Sequence, residues 1–196
     1  MSGLYDWNPM PHVVDIRCPG CQARAPFEFA EAVAIGKAVV PYFRKSKHFE
    51  YVLQNDRTGH THHYAVYFHG LVQSGLDNVV DLPPGFGTDK WQHSPYLYRS
   101  RELDLGTVVC PRCSYRRKHK LNWPTEAFFQ IEYRGQVLWA FHQESLQELI
   151  AYIASDDRRE TRHKWRAFLR HVPSHFTAAK ARENVVRRLE KLMSSV

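Results

Sequence analysis

The chain lacks any apolar run near the roughly 20 residues that a membrane helix requires. It also lacks an apolar N-terminal region of the signal-peptide type, so the expected location is cytoplasmic, with no membrane partner. No repeat period and no low-complexity tract occurs. No Gly-x-Gly-x-x-Gly or Gly-Lys-Ser/Thr phosphate loop is present, and Gly85-Phe86-Gly87 is a lone pair outside any strand–helix context. The Gly-x-Ser-x-Gly elbow is missing too. No pair of carboxylates for acid–base work stands out by position. These absences argue against a membrane-spanning helix, a phosphate-loop nucleotide site and a hydrolase nucleophile.

Cysteine is scarce, four in 196 residues, but its placement is informative. The four fall as two Cys-x-x-Cys pairs, Cys18-Pro-Gly-Cys21 and Cys110-Pro-Arg-Cys113, each with proline after the first cysteine. Proline fixes φ and removes one N–H from the turn, which suits a knuckle whose amides point at sulfur. Four thiolates from two such knuckles make a closed tetrahedral site for Zn²⁺. Disulfides are rare in the reducing compartment expected here. A thioredoxin-like motif needs a single pair opening a helix in a βαβ context, whereas these pairs have strand-like flanks. Iron in a tetrahedral S₄ site is the remaining competitor. A catalytic zinc is disfavoured, because four thiolates leave no position for water.

The two knuckles resemble those of the zinc-ribbon and rubredoxin-like superfamily. The resemblance covers the knuckles alone and implies metal binding, with no catalytic residue to carry over. The spacing departs from the short ribbon. About 15–20 residues usually separate the pairs, and here positions 22–109 lie between them. A large insertion within the ribbon, or a clip joining two ends of a larger fold, would produce that gap.

The formal charge of +7 and pI near 9.3 point to an anionic partner. Five Lys/Arg and no acid lie between Cys110 and Lys120. Hydrophobic content of 43% is sufficient for a core. Along the chain, Met1 to Ile16 reads as an extended arm, and Ala25 to Phe29 alternates like a return strand. Residues 31–39 suit a short helix or a strand lead-in. His48 to Gln54 and His60 to His69 form a hairpin around Asn55-Asp-Arg-Thr-Gly59, with His62, Tyr64, Val66 and Phe68 on one face and His63, Ala65, Tyr67 and His69 on the other. Leu71 to Arg101 reads as loop. Phe128 to Tyr133 and Gln136 to Phe141 flank the turn Arg134-Gly135. Leu146, Leu149, Ile150 and Ile153 have helical spacing. A second helix is expected over 160–171 and a third from 174–177 to about Met193, with Phe176, Ala179, Val186, Leu189 and Met193 facing the core.

Strands with cysteine knuckles followed by helices predict an α+β fold: a zinc-stapled antiparallel β-sheet with a long insertion and a C-terminal helical layer. The expected organisation is a zinc-ribbon-like β domain over 1–141, with insertion 30–105, and a helical segment 142–196 packed on it.

Two constellations outside the cysteines suggest chemistry. His60 and His62 stand about 7 Å apart on one strand face, and Asp56 or Asp77 would complete a site; the plainer reading is an exposed hairpin end. Arg112, Arg116, Arg117, Lys118 and Lys120 crowd one turn and one strand, with Trp123 nearby. Cations beside aromatic rings suit single-stranded nucleic acid; the plainer reading is a solvated strand end whose aromatics belong to the core. The leading expectation is a non-enzymatic zinc protein of bacterial or phage type that binds RNA or DNA, or a nucleic-acid-handling complex. The runner-up is a protein–protein adaptor presenting loop 82–98, and the third is an enzyme using the His60–His69 hairpin.

Overall fold

Pairing between distant segments builds a four-stranded antiparallel sheet in the order β1-β2-β6-β7. These strands are β1 (Val13–Arg17), β2 (Arg24–Phe29), β6 (Leu105–Val109) and β7 (Arg116–Lys120). The description rests on a computed structural model and covers residues 10–56, 58–71, 76, 79, 82–93, 103–157 and 164–194. Ala25, Phe27 and Phe29 alternate inward along β2, as a half-buried strand requires. Strand β1 does not alternate: Val14, Asp15 and Ile16 are all buried. The backbone of Asp15 is held on its far side, its N–H donating to Phe141 O at 2.6 Å and its carbonyl accepting from Phe128 N at 2.9 Å. Gly106 lets β2 and β6 close up, because a Cβ there would overlap the Glu28 carbonyl and the Phe27 ring.

The segment between β2 and β6 carries a second sheet, ordered β3-β5-β4 and antiparallel throughout. Its strands are β3 (Glu31–Ala34), β4 (Phe49–Asn55) and β5 (Thr61–Tyr67). Both faces of β5 are covered. Ala65 and Tyr67 pack with Phe43, Phe49 and Trp91, while Tyr64, Val66 and Phe68 face Ala30, Leu103 and Leu105. The predicted split of this strand into two faces is what the packing displays. A helix the sequence reading did not anticipate, α1 (Val40–Lys45), supplies Phe43; Pro41 sits in its first turn, where proline costs no hydrogen bond. The expected loop 71–101 contains a 3₁₀ turn, Thr88–Trp91, that buries Trp91 completely. Its residues 94–101 lie outside the described residues.

After β7, the hairpin β8 (Gln130–Tyr133) and β9 (Gln136–Trp139) turns through Arg134 and Gly135, with φ of 52° and 73°. Positive φ at both centres is the tight-hairpin geometry that glycine permits. Helix α2 (Gln143–Ala154) buries Leu146, Leu149 and Ile153 as the spacing predicts. Its N-cap is His142, whose Nδ1 accepts from Ser145 N while Ser145 Oγ returns to the His142 N–H. Of the helix expected over 160–171, the structure describes α3 (Arg166–Leu169), and residues 158–163 lie outside the described set. The final predicted helix is divided at Ala178 into α4 (Ser174–Thr177) and α5 (Ala179–Met193). That break changes the phase of the stripe. Ala179 is exposed, and Ala181, Val185 and Leu189 point inward.

One core joins the first sheet, the β8–β9 hairpin and the helices. It includes Val14, Phe27 and Val108 alongside Trp139, Leu146, Phe168 and Leu189. The fold is therefore α+β, with antiparallel sheets and a C-terminal helical region. No helix among the described residues is long and apolar enough to cross a membrane.

Candidate metal centre and basic edge

The β1–β2 and β6–β7 hairpins each end in a cysteine knuckle, and the two knuckles are built alike. In the first, Cys18 N–H donates to Ala23 O at 2.8 Å; in the second, Cys110 N–H donates to Tyr115 O at 2.8 Å. The residue after each second cysteine turns left-handed, Gln22 at φ 62° and Ser114 at φ 57°. Gly20 N–H points at Cys18 Sγ across 3.3 Å. A Cβ on Gly20 would press on the Tyr115 ring at 3.3 Å and meet the sulfurs of Cys113 and Cys18 at ordinary contact distances of 3.5 and 3.7 Å. The glycine thus keeps the knuckle tight against the second one.

All four predicted ligands come together, each Sγ within 4.8 Å of the others. Cys18 Sγ lies 3.6 Å from Cys113 Sγ, and Cys21 Sγ lies 3.7 Å from Cys110 Sγ. Four sulfurs bound at about 2.3 Å around one tetrahedral ion stand roughly 3.8 Å apart, so the residues fit a metal ion of that kind. No disulfide joins them. Burial would raise the Cys110 thiol, but N–H donors from Cys113 and Arg112 outweigh it and bring the pKa down to about 7. The Tyr115 amide favours the Cys113 thiolate, yet the crowding thiols, Cys21 foremost, push that pKa up to about 12. A thiol pushed as high as that of Cys113 resists ionisation until a cation enters, which is the chemistry of a metal site and is compatible with zinc.

Four of the basic residues lie on β7, at one edge of its sheet, and Arg112 lies in the knuckle before it. Arg112, Arg116, Arg117, Lys118 and Lys120 are all exposed. They divide by face. Arg116 Nε donates to Gly70 O at 2.8 Å, and Lys118 pairs with Glu50 and lies over the Phe68 ring, so these two brace the inserted sheet. On the other face, Arg117 lies over Tyr115 with its guanidinium 5.8 Å from the ring centre. Trp123 is half-buried, with one face stacked on Phe141 and Trp139 against it edge-on, 5.1 Å between centres. It belongs to the aromatic wall of the core and is a poor free stacking platform.

At the hairpin end, His60 and His62 both approach Asp56. Asp56 Oδ2 lies 3.0 Å from His62 Nε2 and 3.5 Å from His60 Nδ1, but its Oδ1 closes the turn by accepting from the amides of Thr58 and His60. The Thr58 hydroxyl and His62 hold the Asp56 carboxyl well below the usual range. His63 instead meets Tyr51 Oη at 2.6 Å. Asp77 lies outside the described residues.

A group the sequence reading missed sits where the first sheet meets the inserted one. His12 precedes β1, Glu28 is on β2, Glu31 opens β3, His69 follows β5 and His93 follows the 3₁₀ turn. His93 Nδ1 is 2.6 Å from Glu31 Oε1, and its Nε2 is 3.1 Å from Glu28 Oε1. His12 Nδ1 is 3.4 Å from the same Glu31 oxygen. Burial would lower the His93 pKa, but Glu28 and Glu31 outweigh it and raise it to about 9. His93 in turn holds Glu28 below its ordinary value. Five positions spread from 12 to 93 share no local spacing; the only cue in the sequence was its abundance of histidine, twelve residues.

Comparison of the chain with family profiles, with curated proteins and with solved structures found no match.

Proposed function

We propose that this chain is a zinc-stapled, non-enzymatic protein that binds nucleic acid, weakly and with little regard to sequence, along β7 and its knuckle. The observation that carries the reading is the set of five exposed cations between Arg112 and Lys120 beside the four cysteines, with no carboxylate in that stretch. In this reading the metal is Zn²⁺, and the knuckles at the tips of two hairpins of one sheet are zinc-ribbon-like. Zinc holds the basic hairpin against β1–β2, and Arg112 and Arg117 meet phosphates, with Lys120 at the strand end on the face of Arg116 and Lys118. Arg116 and Lys118 serve mainly to brace the insertion. The adaptor reading is less favoured, because Trp91 is fully buried and Phe86 packs on Phe43; Tyr96 lies outside the described residues.

The competing account of a cationic edge strand is protection against pairing with another sheet edge. Binding of a labelled single-stranded RNA or DNA oligonucleotide, followed by anisotropy across a salt series, separates the two. The expected result is binding at low salt that Arg112→Ala and Arg117→Ala together weaken, with zinc and fold retained. Each cation removed from a phosphate should flatten the log–log salt slope by about 0.7–0.9. No binding at low salt, where attraction is least screened, would overturn the reading.

A further inference from the structure

We propose that His12, Glu31 and His93 form a second metal site, distinct from the cysteine centre, that takes a divalent ion of the zinc or ferrous class. One donor atom from each residue already lies within 4.8 Å of the other two. Ligands bound at about 2.0–2.2 Å in a tetrahedral arrangement stand roughly 3.3–3.5 Å apart. The observed 3.4 Å from His12 to Glu31 matches that spacing, and the 2.6 Å from His93 to Glu31 is shorter than it, so the His93 ring has to swing away from Glu31 to admit an ion. Two imidazoles and one carboxylate are the donor set that suits zinc and non-haem iron.

The surroundings are those of a built site. His12 is 8% exposed, Glu31 16% and His93 26%, so the group is sheltered but reachable. Glu28, within 3.1 Å of His93 Nε2, supplies a second carboxylate to orient that ring, as outer carboxylates do for metal-bound imidazoles. The His69 ring stands 4.3 Å from His93, centre to centre, and its Nε2–H donates to Trp91 O at 2.9 Å. That bond leaves Nδ1 as the lone-pair nitrogen, the tautomer of a ligand imidazole. Thr107, opposite Glu28 in the strand register and 1% exposed, has a hydroxyl without a hydrogen-bond partner among the described residues. In contrast to four thiolates, three protein donors leave a coordination position open to water or a small anionic ligand. The ion would also tie the first sheet, through His12, to the insertion, through Glu31 and His93.

Cobalt titration of the metal-stripped chain tests this, because the two sites differ in spectrum. One Co²⁺ per chain should produce intense thiolate charge-transfer bands, and a second should add weak visible bands without further thiolate absorption. Glu31→Gln and His93→Gln should each abolish the second equivalent while keeping the thiolate bands and the circular dichroism of the wild type. His62→Ala controls for the exposed hairpin histidines. A wild-type stoichiometry of one, or a second equivalent that survives His93→Gln or disappears in His62→Ala, would overturn the proposal. Glu31→Gln is nearly isosteric, so retention of the thiolate bands distinguishes loss of the site from loss of the fold. The result is also independent of whether nucleic acid binds.

Discussion

Cys18 and Cys113 are 95 positions apart in the chain, yet their sulfurs are 3.6 Å apart. The matching pair, Cys21 and Cys110, closes the same gap at 3.7 Å. Each knuckle therefore meets its partner sulfur for sulfur, and a single ion between them would fasten two hairpins of one sheet.

Replacing Cys110 with Ser should remove the metal from that site and unfold or aggregate the protein. A structural zinc contributes roughly 10–16 kcal/mol of apparent binding free energy, against a typical domain stability of about 5–15 kcal/mol. Metal content per chain and a thermal melt measure this together. A variant that has lost the ion but melts at the wild-type temperature would show that the cysteines do not staple the fold.

The last helix supplies a paired test. Leu189 on α5 is fully buried in the main core, and α5 packs on α2 and β8. Leu189→Asp should cost about 3 kcal/mol or more, from the poorer packing and the unpaired buried charge. Arg187, two residues earlier, is exposed, and Arg187→Ala should change stability by less than about 0.5 kcal/mol. Denaturant midpoints that coincide for the two variants would mean that α5 does not dock.

What was legible in the sequence shares a physical character. Leu146, Leu149 and Ile153 follow the period of their own helix, and Arg134-Gly135 carries its own turn chemistry, so local pattern and fold agree. The cysteines were legible because ligand spacing inside each knuckle is local. What could not be read depends on distant neighbours. Strand β1 hides its alternation because Asp15, between Val14 and Ile16, is buried beneath residues near 128 and 141. Trp91 looked like loop because its partners Phe43 and Phe49 come from other elements. The His12–Glu31–His93 group exists only once two sheets meet.

Gly106 makes a sharper prediction about that meeting of strands. Its missing side chain faces the Glu28 carbonyl and the ring of Phe27, itself fully buried. Neither backbone nor packed ring can retreat cheaply. Gly106→Ala should therefore destabilise by about 1–3 kcal/mol, the usual cost of overpacking. Gly36→Ala, where a Cβ meets nothing within 4 Å, is the control and should be near neutral. Equal urea midpoints for the two alanine variants would contradict the close β2–β6 approach.

His142 predicts how stability responds to acid. Its Nδ1 accepts the Ser145 amide at the start of α2, a bond that only the unprotonated nitrogen makes. Burial lowers its pKa from the ordinary 6.5; Glu144 opposes this, and Lys164 adds to it. The unfolded chain thus takes up a proton near pH 6.5 that the folded chain resists. The contribution of this cap is fully present above the unfolded pKa and is lost as pH falls through the folded one. His142→Asn keeps an N-cap acceptor but cannot titrate. Between pH 8 and pH 5 the wild type should lose about 1 kcal/mol relative to His142→Asn, the typical value of a cap. Denaturant unfolding of both proteins at each pH measures the difference. Parallel stability curves across that range would show that His142 does not hold the helix as a neutral cap.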